Sequence, residues 1–413
     1  MSDPNTTPSR PLFWVLLAAA GTFALTMGAR QSMGLFVGSI NTQTGLGLAS
    51  VSLAFAFGQL WWGLTQPLAG MVSDRYGPGR VLVLGVALVA TGTVLIPMMQ
   101  TTAGLILAIG VLSAGGAGMA GPSVLMAAAT RLVAPERRAM ATGVVNAGGS
   151  FGQFLFAPLA QVITNAAGWM AAVQTLGLVT LLALPAAWML RAPPQARLPA
   201  GAPMPVRVST RSAVASALAD PSFRLLALGF SVCGFHVAFL GTHLPGVVAA
   251  CGLAPEVGAW SLAMLGLFNI VGSLGIGALM AWQGGRLKMK DLLSAIYAAR
   301  AVAIAIFVVA PKSTAVMLVF AAVMGLTFLS TVPPTAGLVA RFFGPTHMAT
   351  LFGLVMVTHQ VGGFLGAWLG GKAFEAFGNY NAMWAADIAL AVGAALVHLR
   401  IRETRSMAVP APA

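Results

Sequence analysis

The sequence predicts an all-α membrane protein, with twelve transmembrane helices in two pseudo-symmetric six-helix bundles. Three observations indicate this fold. The chain of 413 residues is 58% hydrophobic and only 8% charged, whereas soluble domains carry about 25% charged residues. Twelve apolar segments are long enough to cross a bilayer. A long polar connection and a weak internal repeat divide these segments six and six.

Each crossing needs about 20 predominantly apolar residues. In chain order the predicted helices cover 12–38, 47–71, 80–99, 103–130, 139–164, 168–190, 223–249, 257–281, 290–310, 314–340, 347–371 and 379–399. The first segment is too long for the apolar region of a signal peptide and lacks a small-residue cleavage site after it, so we expect a retained helix. The polar residues 1–10 and the final MAVPAPA are expected to be disordered tails.

The basic residues predict the orientation of the chain. With the N-terminus in the cytoplasm, the tails and even-numbered connections contain 18 of the 22 Lys and Arg residues, and the outer connections contain only Lys312 and Lys372. Because basic loops stay inside, both termini are predicted to be cytoplasmic, in a multi-pass protein of the cell (inner) membrane. This pattern explains the net charge of +13 better than nucleic-acid binding does, since no basic cluster is interleaved with aromatic residues.

The polar connection has the Pro, Gly, Arg and Ser content of a flexible linker. We therefore predict an N-terminal bundle at 1–190, a cytoplasmic linker at 191–222 and a C-terminal bundle at 223–413. The stretches 131-RLVAPERRAMATG-143 and 341-RFFGPTHMATLFG-353 share Arg, Pro and Gly at one spacing, at an offset of 210. Near offset 206, Arg30 corresponds to His236. Such a repeat is typical of transporters whose site lies between the halves.

The stretch 70-GMVSDRYGPGRV-81 resembles the G-x-x-x-D-R-x-G-R-R signature of the major facilitator superfamily. Within it, 29-ARQSMGLF-36, 58-GQLWWGLTQPLAGMVSDRYG-77 and 358-THQVGGFLGAWLGG-371 resemble the bacterial monocarboxylate porter and oxalate/formate antiporter branch. The resemblance implies the major facilitator fold, a monomer, and a gating latch in which Asp74 and Arg75 join the halves on the cytoplasmic side when the carrier faces outward. The eighth predicted helix departs from the branch, because it has Asn269 and Ser273 but no Asp/Arg pair.

Arg30 lies about 18 residues into the first predicted helix, in its outer half. A buried arginine is costly in a bilayer, and the first six predicted helices offer no acidic residue in their cores to neutralise it. Because a guanidinium binds a carboxylate through two hydrogen bonds, we predict that Arg30 is the main ligand of an anionic substrate. The alternatives are a structural arginine bonded to backbone carbonyls and one that extends outward to the interface.

Other polar residues of the predicted membrane core are further candidates for substrate binding. His236 and His243 share a helix face, and Tyr297 lies one turn before Arg300. The predicted substrate-binding residues are Arg30, Gln59, Asn146, His236, His243, Asn269, Tyr297, Arg300 and His359. Each has a structural alternative. The histidines would be hydrogen-bonded core residues, and the neutral polar side chains would join helices. Arg300 would be a structural residue paired with Asp387.

The sequence contains no GxSxG, HExxH or P-loop motif, so we predict no enzyme activity, no cofactor and no metal, and transport driven by a gradient or by exchange. The predicted function is secondary active transport of small organic anions, above all monocarboxylates, by proton symport or anion exchange. The expected partners are this anion, protons in the case of symport, and the lipid bilayer. The alternatives are an efflux carrier for drugs or hydrophobic compounds, which would need an acidic residue in its cavity, and a membrane receptor that has lost transport.

Overall fold

A computed structural model describes residues 12–134, 137–191, 210–282, 287–344 and 348–403. Regular structure within these ranges is helical, and eleven continuous helical stretches are long and apolar enough to cross a membrane. They are α1 (Leu12–Thr44), α2 (Leu48–Tyr76), α3 (Pro78–Met98), α4 (Thr102–Leu132), one stretch Met140–Met189 that contains α5 and α6, α7 (Pro221–Ala250), α8 (Pro255–Trp282), α9 (Met289–Val309), α10 (Thr314–Phe343), α11 (Thr350–Phe377) and α12 (Asn381–Leu399).

The fifth and sixth predicted helices are joined without a loop. Gly168 has φ 85° and ψ 162° in the middle of the stretch, a conformation that glycine adopts without strain. Before Gly168, α5 packs through Gly152 on Ala24 of α1, and after it, α6 packs through Gly177 on Val94 of α3. The two parts are therefore separate helices, and the prediction of an all-α fold with twelve membrane helices is confirmed.

Three helices depart from α geometry near the middle of the bundle. Residues Ser32–Phe36 of α1 form a 3₁₀ segment, and Ile106–Ser113 of α4 form a π segment. In α10 the helix ends at Thr327 and resumes at Val332. Because Pro333 and Pro334 have no backbone N–H, the turn before them loses hydrogen bonds, which favours the interruption of α10 at this point.

Most of the large apolar side chains pack inside α1–α6, the N-terminal half, or inside α7–α12, the C-terminal half. The apolar cluster at the contact between the halves is built from Ala56, Ala238 and Ala367, with Phe364 and Trp368 packed against it. The small residues allow a close approach of the helices. The exact division at 190 and 222 stays a prediction, because residues 192–209 of the predicted linker lie outside the described ranges, as do the predicted tails 1–10 and 407–413.

The two halves touch at one end of the bundle and in its middle. We call the end at which α1 begins and α12 ends the terminal face, and the other end the distal face. Towards the distal face, Gly34 of α1 lies directly against the backbone of Gly241 in α7. At that face, the backbone N–H of Ala49 donates to Glu375 Oε1 at 2.8 Å, and Asn165 Nδ2 donates to Glu256 Oε1 at 2.8 Å. These contacts close the distal face.

Towards the terminal face the same helix surfaces move apart. Gly63 of α2 packs against the side chain of Gln360 in α11. Gly70 lies seven residues after Gly63, and Gly353 lies seven residues before Gln360, so each shares the face of its neighbour. A Cβ added to either glycine would meet no atom within 4 Å. The cleft between the halves therefore opens at the terminal face, which the charge pattern predicts to be cytoplasmic.

At the terminal face each half pairs its own charges. Arg131 forms an ion pair with Asp74 in the N-terminal half, and Arg341, its counterpart at offset 210, pairs with Glu403 at 3.2 Å in the C-terminal half. The prolines of this repeat, Pro135 and Pro345, lie outside the described residues. The Arg75 guanidinium lies 5.2 Å from the ring centre of Tyr76. The latch of Asp74 and Arg75 across the halves stays a prediction for the other conformation.

Gly34→Ala is expected to separate the halves at the distal face, because the new methyl group would overlap the carbonyl of Gly241. Spin labels at Met98→Cys and Val309→Cys, both exposed at distal helix ends, should report a longer distance in this variant. Gly38→Ala is the matched control, since a Cβ there meets no atom within 4 Å. An unchanged distance in Gly34→Ala would show that this contact does not hold the distal face closed.

Candidate functional site

Arg30 lies at the point where α1 changes from α to 3₁₀ geometry. Its Nη2 atom donates to Gln59 Oε1 of α2 at 2.7 Å. The guanidinium carbon also lies 5.0 Å from the ring centre of Trp62, one turn further along α2. The structure thus brings together two of the predicted site residues, Arg30 and Gln59. Trp62 joins them because a spacing of three residues places it on the same helix face as Gln59.

A small cavity adjoins Arg30 between the two halves. Its volume is about 30 Å³, room for one or two water molecules. It lies beside the contact of Gly34 with Gly241 that closes the distal face. The lining residues come from α1, α2 and α4 of one half and from α7 of the other: Arg30, Gln31, Met33, Gly34, Phe55, Gly58, Gln59, Ile109, Ser113, Ala114, Gly241 and Thr242.

The charge of Arg30 is not neutralised by a carboxylate. Among the ion pairs of the described residues, none includes Arg30, so no described carboxylate oxygen lies within 4.0 Å of its nitrogens. An amide oxygen and an aromatic face stabilise the cation without cancelling its charge. Arg30 itself lines the cavity. This arrangement can accept an anion, and the planar guanidinium matches the two oxygens of a carboxylate.

His236, Tyr297 and Arg300 lie together inside the C-terminal half and not on the cavity wall at Arg30. His236 Nδ1 is 3.5 Å from Arg300 Nη1, and His236 Nε2 is 3.1 Å from the backbone oxygen of Asp387 and 3.5 Å from its Oδ1. The expected direct pair of Arg300 with Asp387 is wrong: His236 stands between them. Tyr297 donates to the carbonyl of Gly229 at 2.8 Å. Their role in substrate binding stays a prediction.

The other two candidate histidines also lie between helices of the C-terminal half. His243 Nε2 is 2.7 Å from the carbonyl oxygen of Ala367, and its ring packs on Gly370. His359 is 7% exposed, its ring centre is 4.9 Å from that of Phe230, and neither ring nitrogen has a hydrogen-bond partner among the described residues. Both rings pack between α7 and α11, and contact with substrate or protons stays a prediction.

Asn269 bridges the two halves. Its Nδ2 donates to Ser150 Oγ of α5 at 2.8 Å, and its Oδ1 accepts from the N–H of Leu329 at 3.0 Å. Asn146 is exposed one turn before Ser150, on the side where the cleft widens. The sequence prediction missed Thr242 of the cavity wall, because a single threonine in an apolar helix forms no pattern. It also missed the partners of Glu256 and Glu375, which are far away in the chain.

Comparisons with known proteins identify the family. The Major Facilitator Superfamily profile matches residues 16–299, more than half of the chain. Monocarboxylate transporter 13 of Rattus norvegicus is 26% identical over 379 residues, which covers 89% of this chain and 83% of that protein. The oxalate:formate antiporter of Oxalobacter formigenes is 25% identical over 385 residues, covering 92% of this chain and 90% of that protein.

Solved structures share the fold. A bacterial homologue of the human lysosomal transporter Spinster, inward-facing and occupied, superposes with a TM-score of 0.72 at 18% identity, covering 98% of this chain and 100% of that one. A point mutant of the nucleoside transporter NupG gives a TM-score of 0.77 at 13% identity, covering 94% of this chain and 99% of that one. The predicted resemblance to the major facilitator superfamily is confirmed. The chain belongs to the major facilitator superfamily of membrane transporters.

Proposed function

We propose that this transporter exchanges small monocarboxylates across the membrane, with Arg30 as the ligand of the carboxylate. The observation that carries the proposal is a guanidinium without a carboxylate partner at a cavity between the halves. The relatives named as monocarboxylate transporters and as an oxalate:formate antiporter support a small carboxylate as substrate. The structure with a closed distal face and an open terminal face is one of the two conformations that alternating access requires.

Gln59 accepts a hydrogen bond from Arg30. An incoming carboxylate competes for this donor with a full negative charge, and hydrogen bonds between two charged groups are roughly twice as strong as those between neutral groups. The Trp62 ring contacts the guanidinium carbon and accepts none of its N–H groups in an ordinary hydrogen bond. Substrate binding therefore replaces Gln59 as the partner of Arg30.

The cavity favours a single negative charge. Arg30 is the cation among its lining residues, and Met33, Phe55 and Ile109 supply apolar walls. A monocarboxylate with a short hydrocarbon part matches both features, and the cavity must widen to admit it, since its volume of about 30 Å³ holds one or two water molecules. A dicarboxylate would place its second charged group among lining residues that offer amide and hydroxyl groups but no second cation, which carries a desolvation cost.

We base the exchange mechanism on the free-energy cost of closing the carrier around an unpaired cation. An empty carrier must close around Arg30 with Gln59 and Trp62 alone, whereas a loaded carrier closes around a neutral pair. In both directions of the transport cycle, the conformational change therefore has a lower free-energy barrier when substrate is bound. Proton symport would need a titratable group at the cavity, and His236 and His243 lie inside the C-terminal half with backbone carbonyl partners.

A carboxylate ligand should raise the melting temperature of the purified protein by several degrees at about 100 times its Kd. The panel contains lactate, pyruvate, formate, oxalate and aromatic carboxylates, the uncharged amide of each, and lipophilic cations. We expect monocarboxylates to stabilise and amides to have no effect. Arg30→Gln should abolish the shift, and Lys372→Gln, which removes an exposed cation at the distal end of α11, should keep it. Stabilisation by lipophilic cations alone would instead support the efflux carrier.

Gln59→Glu should mimic bound substrate, because it places a carboxylate within hydrogen-bond distance of Arg30. We expect this variant to melt at a higher temperature than the native protein and to lose its response to monocarboxylates. Gln66→Glu is the matched control, since Gln66 lies seven residues along the same helix and bonds its own helix backbone at 3.4 Å. A Gln59→Glu protein that still binds monocarboxylates normally would contradict the assigned ligand.

Proteoliposomes distinguish exchange from symport. Uptake of a labelled monocarboxylate should be at least about tenfold faster into vesicles loaded with unlabelled monocarboxylate than into vesicles without it, since the empty carrier returns slowly. An imposed pH gradient should have little effect. Rapid uptake into unloaded vesicles that depends on an acidic outside would reject exchange and establish proton symport.

A further inference from the structure

The interruption of α10 leaves backbone groups that need partners from other helices. The first part of α10 ends at Thr327 and the second begins at Val332. The last carbonyls of a helix have no N–H partner within it. Buried carbonyls and N–H groups in a membrane must nevertheless be hydrogen-bonded. The partners at this interruption come from α9 on one side and α8 on the other.

Arg300 of α9 holds the carbonyl side of the interruption. Its Nη2 donates to the carbonyl oxygens of Thr327 and Phe328, the second at 2.8 Å. The same nitrogen lies 3.6 Å from Cys233 Sγ, and the guanidinium carbon is 5.1 Å from the ring centre of Tyr297. A cation at a helix C-terminus is also favoured by the helix dipole. The side chain is 1% exposed, so it is fixed on all sides.

Asn269 of α8 holds the N–H side of the interruption. The N–H of Leu329 can only donate, so the side-chain oxygen of Asn269, 3.0 Å away, must face it. The amide nitrogen is thereby turned towards α5, where it donates to Ser150 Oγ at 2.8 Å. Gly272, one turn further along α8, lets this helix lie against the carbonyl of Leu326. A hydrogen-bonded chain thus runs from Arg300 through the interruption to the opposite half.

We propose that Arg300 is a positioning residue that acts at a distance from the cavity. By fixing the interruption of α10 it fixes the amide of Asn269, and so strengthens the bond of Asn269 with Ser150 across the halves. That bond forms where the halves meet, and it favours the conformation that is closed at the distal face. The proposal does not depend on which substrate the transporter carries, because the chain of contacts is complete without one.

The test measures the conformational equilibrium without substrate. Spin labels at Met140→Cys and Trp282→Cys report the separation of α5 and α8 at the terminal face, where both side chains are exposed. Cys251→Ser removes the partly accessible native thiol, and the buried Cys233 is retained. We expect Arg300→Gln to lower the ratio of molecules with an open terminal face to molecules with a closed one about fivefold. This factor corresponds to the loss of about one hydrogen bond. Ser150→Ala should give the same shift.

The double variant Arg300→Gln/Ser150→Ala decides between a coupled and a purely structural role. If Arg300 acts through Asn269 and Ser150, the double variant shifts no further than either single variant. Ser261→Ala, which removes a hydroxyl of α8 bonded within its own helix, should keep the native distribution. Two results would overturn the proposal. One is a double variant in which the shifts of the two single variants multiply, and the other is a native distribution of spin-label distances in folded Arg300→Gln. If Arg300→Gln does not fold, Arg300→Lys replaces it, because one ammonium group cannot span the same partners; a native distribution in that variant would equally overturn it.

Discussion

The cost of an unpaired charge in a hydrocarbon environment governs where the two membrane arginines lie and what each can do. Arg300 is surrounded by carbonyl oxygens, a thiol and a ring inside one half, and its Nη2 donates to two backbone carbonyls. Arg30 has one amide oxygen and one ring, and it lies where two halves meet. Two residues of one type thus have different roles because their partners differ. The proposed preference for an anion and the proposed exchange mechanism both rest on the missing carboxylate partner of Arg30.

The contact between the halves is built so that it can be broken. Gly34 and Gly241 meet through backbone atoms, and alanines form the apolar cluster nearby. Such surfaces slide and separate without disturbing the larger cores inside each half, whose interlocked aromatic and branched side chains resist rearrangement. The hydrogen bonds across the contact are made by amide, hydroxyl and carboxylate groups that water can satisfy equally well once the cleft opens. We therefore expect a small free-energy difference between the two conformations of alternating access.

Much of the architecture could be predicted from the sequence, because hydrophobic length alone specifies a membrane helix. Arg30 and Gln59 could also be selected as candidate site residues from the sequence, because a charge or an amide in an apolar run is costly to bury without a partner or a ligand. The place of His236 between Arg300 and Asp387 was not, because it depends on how three helices pack. Likewise, the partners of Glu375 and Glu256 are 326 and 91 residues away, and no local pattern connects such positions. The loop-free turn at Gly168 left no signal beyond one glycine in a long apolar stretch.

The hydrogen bond between Glu375 and the N–H of Ala49 has a consequence for helix α2. The residue before this helix is Gly47, which has no side chain to cap the first exposed N–H groups. The cap is supplied by a carboxylate of the opposite half, and an N-terminal cap contributes about 1 kcal/mol to helix stability. When the halves part at the distal face, this cap is withdrawn and the first turn of α2 is free to unwind. The length of α2 is then a property of the conformational state and not of the helix sequence alone.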